Sequence, residues 1–348
     1  MNIKIFKCFT ILVLLLQMPI ARAEVLPVKK EKKISKAYNV NADATAEITN
    51  KYGSIYVTTW EEDKIQIDVV ITVEGKNEDV VNRRLNAIDV EFNPLKARIA
   101  AKTVFGSSTG NINMQVNYTV KIPRKGSIDL NNQYGNIVVD KILSNSAIEC
   151  HYGNINVAEL QGDSNTIKLK YCDKSAIGYA KNVVVDCQYS GLKLKKGVNL
   201  TYKGQYSNLD SEAFENVTYN ADYGDLNLLS VTNLTLRGDY LQIKIGKLDG
   251  NLVVNSDYST VIIGNVSARA NNIALNLSYT TVDLKYDEDY SFDFDYSLKY
   301  TDLKSPGLTF QAKKESVSTA LYKGFYKSSG KNKMSINADY GNIKLTKI

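Results

Sequence analysis

Through the middle of the chain, apolar and polar residues alternate in short runs, and each run breaks at a tyrosine. Ten such tyrosines, Tyr134, Tyr152, Tyr171, Tyr189, Tyr206, Tyr223, Tyr240, Tyr258, Tyr279 and Tyr296, recur at intervals of 17 to 21 residues. Four places before them stand Ile148, Ile167, Val185, Tyr202, Tyr219, Leu236, Val254, Leu275 and Phe292, and six places before the later ones stand Val183, Leu200, Val217, Leu234, Leu252 and Ile273. Two places before them the residue is small or apolar, as at Cys150, Leu169, Ala221 and Leu277. A period of two puts these positions on one face of a strand. After the tyrosine comes a break, commonly Gly or Ser (Gly135, Gly153, Ser190, Ser207, Gly224, Ser259), which suits a corner. A second apolar pair follows, such as Ile155/Val157, Leu226/Leu228 or Val261/Ile263, and then a further apolar residue such as Leu160, Phe214 or Val231.

Each unit therefore reads as strand, corner, strand, turn and short third edge. No hairpin signal or helix-length pattern separates the units, so each closes one turn of a coil that pairs in parallel with the next. The expected fold is all-β, a single-stranded parallel β-solenoid (β-helix) with coils of about 17–19 residues. A β-propeller is the main structural rival, but its blades need about 40 residues. Asn50-Lys51-Tyr52-Gly53-Ser54-Ile55 forms an early copy and Ala338-Asp339-Tyr340-Gly341-Asn342-Ile343 a last one. Between Tyr52 and Tyr134, at about 60–125, alternating strands flank a helix expected over Glu78–Ala87; this excursion reads as a β-meander capping the first coils. A second excursion at about 306–333, with Phe310, Tyr322, Phe325, Tyr326 and six lysines, reads as a hairpin or cap near the C-terminal end. One continuous core makes residues 24–348 a single domain.

The N-terminus adds a compartment. Lys4 and Lys7 precede the apolar run Ile11–Leu16, which ends at Ala21-Arg22-Ala23: the pattern of a secretory signal peptide over residues 1–23. The run is much shorter than the ~20 residues that span a bilayer, and no transmembrane segment is expected after cleavage. Cleavage takes Lys4, Lys7 and Arg22 from a formal charge of +6, leaving a nearly balanced chain. No basic stripe with interleaved aromatics appears beyond Lys29–Lys33, so nucleic acid is not an expected partner. Three cysteines follow the leader. Cys150 and Cys187 fall in the same slot two coils apart, about 10 Å, beyond disulfide reach, and with Cys172 they read as small apolar fillers.

Candidate chemistry is sparse. The tyrosine row Tyr152, Tyr171, Tyr189, Tyr206, Tyr223, Tyr240, Tyr258, Tyr279 and Tyr296 has two readings. It is a structural ladder of half-buried stacked rings, or an outward strip for a glycan or another envelope protein, with Gln188, Gln205, Asp222, Asp239 and Asp257 beside it. Asp222, Asp225 and Asp239 raise calcium, but the glycine-aspartate nonapeptide of calcium-binding solenoids is absent, and no cofactor is expected. Asn-x-Thr triplets such as Asn199-Leu200-Thr201 lie within expected strands and read as incidental. The one histidine, His151, and scattered acids supply no hydrolytic constellation, so no catalytic residue is assigned. The function expected is that of a non-enzymatic interaction or scaffold protein. A polysaccharide-active lyase or hydrolase is the alternative, since β-helices host such enzymes.

The segments Asn50–Val57, Gln133-Tyr134-Gly135-Asn136-Ile137 and Asp339-Tyr340-Gly341-Asn342-Ile343, with the step Tyr118-Thr119-Val120-Lys121-Ile122-Pro123, resemble the adhesin-like β-solenoid domains of Gram-negative envelope proteins. The resemblance covers essentially all of the mature chain. It implies a right-handed solenoid and an exported, non-enzymatic protein of the periplasm or cell surface. It assigns no binding residues.

Overall fold

In the computed structural model, residues 27–107 and 112–348 are described; the signal-peptide reading of residues 1–23 falls outside them. The alternating apolar positions become strands whose inward side chains form one continuous core, from Val40 near one end to Leu345 near the other. The expected inward positions, Ile148, Ile167, Val185, Leu236, Val254 and Leu275 among them, are buried. Each such Leu, Ile or Val contributes about 1.5–3 kcal/mol by leaving water.

Parallel pairing links each coil to the next. β8 (Ser127–Gln133), β10 (Ser146–His151), β12 (Asn165–Lys170), β13 (Ser175–Gln188), β14 (Gly191–Gln205), β15 (Asn208–Asp222) and β16 (Gly224–Arg237) carry the pre-corner sheet, in which Ile148, Ile167, Val185, Tyr202, Tyr219 and Leu236 lie in register. β18 (Leu252–Asp257) and β20 (Ile273–Ser278) continue it. The post-corner sheet begins with β9 (Ile137–Ile142) and β11 (Ile155–Leu160), uses the first halves of β13 to β16, and runs on through β17 (Leu241–Leu248), β19 (Thr260–Val266) and β21 (Thr281–Tyr286). In the central coils one long strand serves both sheets. Between β13 and β14 the pairing skips Gly178/Lys195 and Lys181/Val198, the bends that set off the expected short third edge.

The ends are built less simply than a string of copies. β2 (Thr45–Lys51) lies between β8 on one side and β6 (Arg98–Phe105) on the other, both parallel to it. β3 (Ile55–Trp60) likewise lies between β9 and β7 (Asn113–Pro123). The first excursion thus supplies an outermost coil as well as a cover. Its antiparallel layers are β1 (Val28–Asn39) on β4 (Lys64–Gly75), β4 on β7, and β5 (Ile88–Leu95) on β6. α1 (Glu78–Asn86) packs against β1 and β4, with the Asn77 side chain accepting from the Val80 N–H and Val81 buried.

The C-terminal end repeats the device. β25 (Asn332–Lys347) is inserted in parallel between β20 and β21 on one side and β22 (Phe292–Lys304) on the other. The second excursion is a hairpin of β23 (Thr309–Glu315) and β24 (Thr319–Tyr326), antiparallel to the outside of β22.

This arrangement corrects one expectation. Tyr296 is not a corner residue: it is fully buried in β22 beside Phe294, and its hydroxyl donates to Met334 Sδ at 3.2 Å. The turn Asp287–Ser291 lengthens that coil, and the corner falls four residues later, at Tyr300. A shift of four preserves the two-residue alternation, so the sequence pattern fits both positions.

Burial also fixes a pH limit. Burial pushes the phenols of Tyr118 and Tyr286 up to about 12, in Tyr118 against the opposing effect of the Thr103 hydrogen bond. Tyr219, Tyr290 and Tyr296 are raised in the same direction by the same cause. Folding favours the neutral phenol, so this stabilisation is complete below a pH of about 10 and lost as the pH rises through about 12. Alkaline titration should show β-sheet circular dichroism falling in this window together with the appearance of buried tyrosinate.

Candidate functional site

The corner residues form the most continuous surface feature of the molecule. Among the described non-glycine residues, thirteen have positive φ; twelve are corner tyrosines at 45–63°, and the other is Lys327. The left-handed region costs a side-chain-bearing residue about 1–2 kcal/mol, and Gly or Asn would ordinarily fill it. Here the ring gives a return on that cost. In spatial order the stack runs Tyr52, Tyr134, Tyr152, Tyr171, Tyr189, Tyr206, Tyr223, Tyr240, Tyr258, Tyr279, Tyr340 and Tyr300. Ring centroids are 4.8–5.3 Å apart and planes within 15°. Phe105 closes one end edge-on at 5.9 Å from Tyr52. The row is roughly 50–55 Å long, set by the rise of the parallel strands.

Both readings of the row capture part of what is present. The rings do stack as a ladder, yet from Tyr134 to Tyr300 they remain 42–54% exposed. Each face is covered by the neighbouring ring, so the surface is a ridge of ring edges and hydroxyls rather than a strip of open faces. Tyr152, Tyr171, Tyr189, Tyr206, Tyr223, Tyr240, Tyr258 and Tyr279 all stand in it; Tyr296 does not.

The residue after each tyrosine makes the corner possible. Where it is Ser or Thr, its hydroxyl donates to the carbonyl two residues back and accepts the equivalent N–H of the preceding coil. Ser190 Oγ donates to the Gln188 carbonyl at 2.8 Å and accepts from Cys172 N at 3.0 Å, and Ser190 N donates to Ser207 Oγ at 3.1 Å. Ser259 and Thr280 repeat the pattern. Where it is Gly, the backbones approach too closely for a side chain: a Cβ at Gly135 would stand 1.9 Å from the Gly53 carbonyl oxygen.

Polar rows flank the ridge. Lys51 lies over the rings of Tyr52 and Tyr134, and Lys170 over Tyr171. Asp222 Oδ1 accepts the Asp239 N–H and Asp239 Oδ1 the Asp257 N–H, each at 2.9 Å. Asp225, on the other side of the corner, donates its N–H to Asn208 Oδ1. The three aspartates singled out for calcium are thus divided between two sheets. A shallow hollow of about 300 Å³ runs beside the ridge over Gln188, Gln205 and Asp222, and a second, of about 350 Å³, over Asp239, Asp257 and Asp339.

One feature escaped the sequence reading. Asn182, Asn199, Asn216, Asn233 and Asn251 form a second ladder at the opposite bend, their side chains bonded coil to coil at 2.7–3.1 Å. The Asn-x-Thr triplets owe their asparagines to it; the recurrence of Asn at intervals of 17 was the available signal. Cys150, Cys172 and Cys187 are buried and free, and Cys150 and Cys187 are separated in register by Leu169 as their spacing implies.

Two substitutions test the corner by urea unfolding. Gly135→Ala should cost about 2–4 kcal/mol, since the clash is with backbone. Tyr223→Gly relieves the left-handed backbone but removes two stacked contacts and a half-buried ring, a net loss of about 2 kcal/mol. Tyr223→Phe should stay within about 0.5 kcal/mol of the native chain.

Several solved structures are similar in outline. They include a putative adhesin from Bacteroides fragilis (12% identity, 90% of this chain and 97% of that one, TM-score 0.24). A putative cell adhesion protein from Clostridium sporogenes gives 11% identity, 92% and 100% coverage, and a TM-score of 0.20. A putative lipid binding protein from Parabacteroides distasonis gives 11%, 92% and 97%, and 0.31. At these scores the likenesses carry no conclusion about what this chain does. No curated protein matches it. Residues 45–346, from the first inserted coil to the last, match the family described as Toastrack DUF4097, and the chain belongs to that family.

Proposed function

We propose that this chain is an exported, non-enzymatic, adhesin-like interaction protein of the cell envelope that meets its partner along the tyrosine ridge. The observation that carries this reading is the exposure of eleven rings of the stack, already locked in place. Tyrosine offers a large contact with one apolar body and one polar tip, and rings fixed by stacking lose little further freedom on binding. Because ring faces are covered along the row, the ridge favours a protein surface over a sugar, which would need an open face. Export rests on the leader over residues 1–23, with the periplasm or cell surface as destination. Among the described residues, no helix is long and apolar enough to cross a membrane. The coil is read as right-handed, as parallel crossovers overwhelmingly are, and residues 24–348 as one domain sharing one core.

The test uses the mature chain and an immobilised envelope fraction, untreated, protease-treated or stripped of glycans. Retention should fall at least about tenfold when Tyr206, Tyr223 and Tyr240 are all changed to Phe, which keeps the stack and removes the hydroxyls. It should also fall when the fraction is protease-treated. Equal retention of the variant would overturn the ridge as the contact, loss only on glycan removal would overturn a protein partner, and turnover of any polysaccharide would overturn the non-enzymatic role. Fractionation of cells should recover the chain, cleaved after Ala23, outside the cytoplasm.

A further inference from the structure

The pre-corner sheet presents three outward columns along the solenoid axis. The column nearest the ridge reads, coil by coil, Gln133, His151, Lys170, Gln188, Gln205, Asp222, Asp239 and Asp257. The middle one reads Asn131, Glu149, Lys168, Asp186, Lys203, Asn220, Arg237 and Asn255. The third is small or β-branched through the central coils, with Thr166, Val184, Thr201, Thr218 and Thr235; Val184 is 47% exposed.

Several lysines on the remaining surface find acids within the chain, as in Lys141–Glu159 at 2.9 Å, Lys181–Asp163 at 2.7 Å and Lys247–Asp249 at 3.0 Å. Among the described residues of the two charged columns, the one close acid–base contact is His151 Nε2–Glu149 Oε1 at 3.1 Å. Lys168, Asp186, Lys203, Arg237, Lys170 and Asp222 form none.

We propose that this sheet is the interface of a two-fold dimer of the chain. The axis runs parallel to the strands, between the coil of Tyr189 and that of Tyr206. That operation lays one sheet face to face on its copy with the solenoid axes antiparallel, and it keeps each column over the same column. Asp186 then meets Lys203 of the second copy, Lys170 meets Asp222, and Glu149 meets Arg237. His151 falls opposite Asp239, Lys168 opposite Asn220, and Gln188 opposite Gln205. In the third column Val184 meets Thr201 and Thr166 meets Thr218. No like charges coincide. Moving the axis onto the coil of Tyr189 sets Lys168 against Lys203, and moving it onto that of Tyr206 sets Lys168 against Arg237. Moving the axis a full coil either way also avoids like charges but loses the Lys170–Asp222 pair and makes fewer kinds of opposite pair, so this register has the most complementary charges.

The geometry is commensurate without adjustment, since both copies have the same rise per coil. Eight coils and the width of a six-residue strand cover roughly 700 Å² per copy, close to the about 800 Å² of a standard interface. Exposed pairs of this kind give register more than strength, so the dimer is salt-sensitive.

Sedimentation velocity of the mature chain tests this at low salt, about 50 mM, and at about 1 M, where charges are screened within about 3 Å. A dimer at low salt that dissociates at high salt is expected. Lys170 and Asp222 lie three coils apart, about 14 Å within one chain, so their coupling reports only on contact between chains. Lys170→Asp alone and Asp222→Lys alone should each weaken the dimer about tenfold or more, and the double exchange should restore it. Unchanged thermal unfolding of each variant would separate lost association from lost fold. A chain that stays monomeric at about 100 μM in low salt would overturn the proposal. So would a dimer indifferent to the single reversals, or a double exchange that fails to restore association.

Discussion

Everything in this molecule depends on a corner that a tyrosine takes in the left-handed conformation. Parallel strands are paired by evenly spaced, slanted hydrogen bonds, and nothing in a repetitive strand prevents slippage by one coil or one residue pair. The corner removes that freedom. The backbone turns where φ is positive, the next residue is most often glycine or a short hydroxyl (Cys172 and Leu241 are the exceptions), and the ring must lie on the ring of the coil before it. The conformational cost at each corner is offset by two stacked contacts, and each stack in turn pins the rise at about 5 Å.

The same logic explains the ends. A solenoid that stopped at its last copy would expose a full row of unpaired backbone groups. Here neither the first inserted coil, with Tyr52, nor the last, with Tyr340, is outermost, because each lies between two other coils. The outermost positions belong to β6 and β7 at one end and β22 at the other, and antiparallel strands cover these. Inserting a late strand between earlier ones requires contacts far apart in sequence, such as Ile273 with Met334 and Ala46 with Ile128. The capped coils are therefore clamped at the expense of a less local topology.

A rigid rod with three distinct surfaces follows from this construction. The ridge offers edges and hydroxyls held without further ordering. The pre-corner sheet offers columns of charged and polar side chains, most of them without an ion-pair partner among the described residues, and the opposite bend is occupied by its asparagine ladder. Each surface repeats at the coil rise, so any partner or second copy built on a similar rise meets it in a fixed register. The regular spacing that makes the core also makes the outside legible to another molecule.

How much of this was present in the amino-acid order can be judged residue by residue. Period-two alternation around the tyrosines determined strands, inward faces, coil length and the all-β parallel architecture, because burial on a pleated surface leaves a local imprint. The positions of Tyr52 and Tyr340 as true copies were legible for the same reason. Tyr296 was misplaced because a four-residue lengthening of one turn leaves alternation intact, and only the pairing of β22 with β25 decides that Tyr300 is the corner. The asparagine ladder was overlooked because an outward polar residue carries no burial signature, although its spacing was present. The order of coils at both ends, the covering of ring faces by neighbouring rings and the charges that find no partner within the chain were settled only by tertiary structure. They are relations between residues tens of positions apart, and local propensity carries no information about which strand will lie beside which.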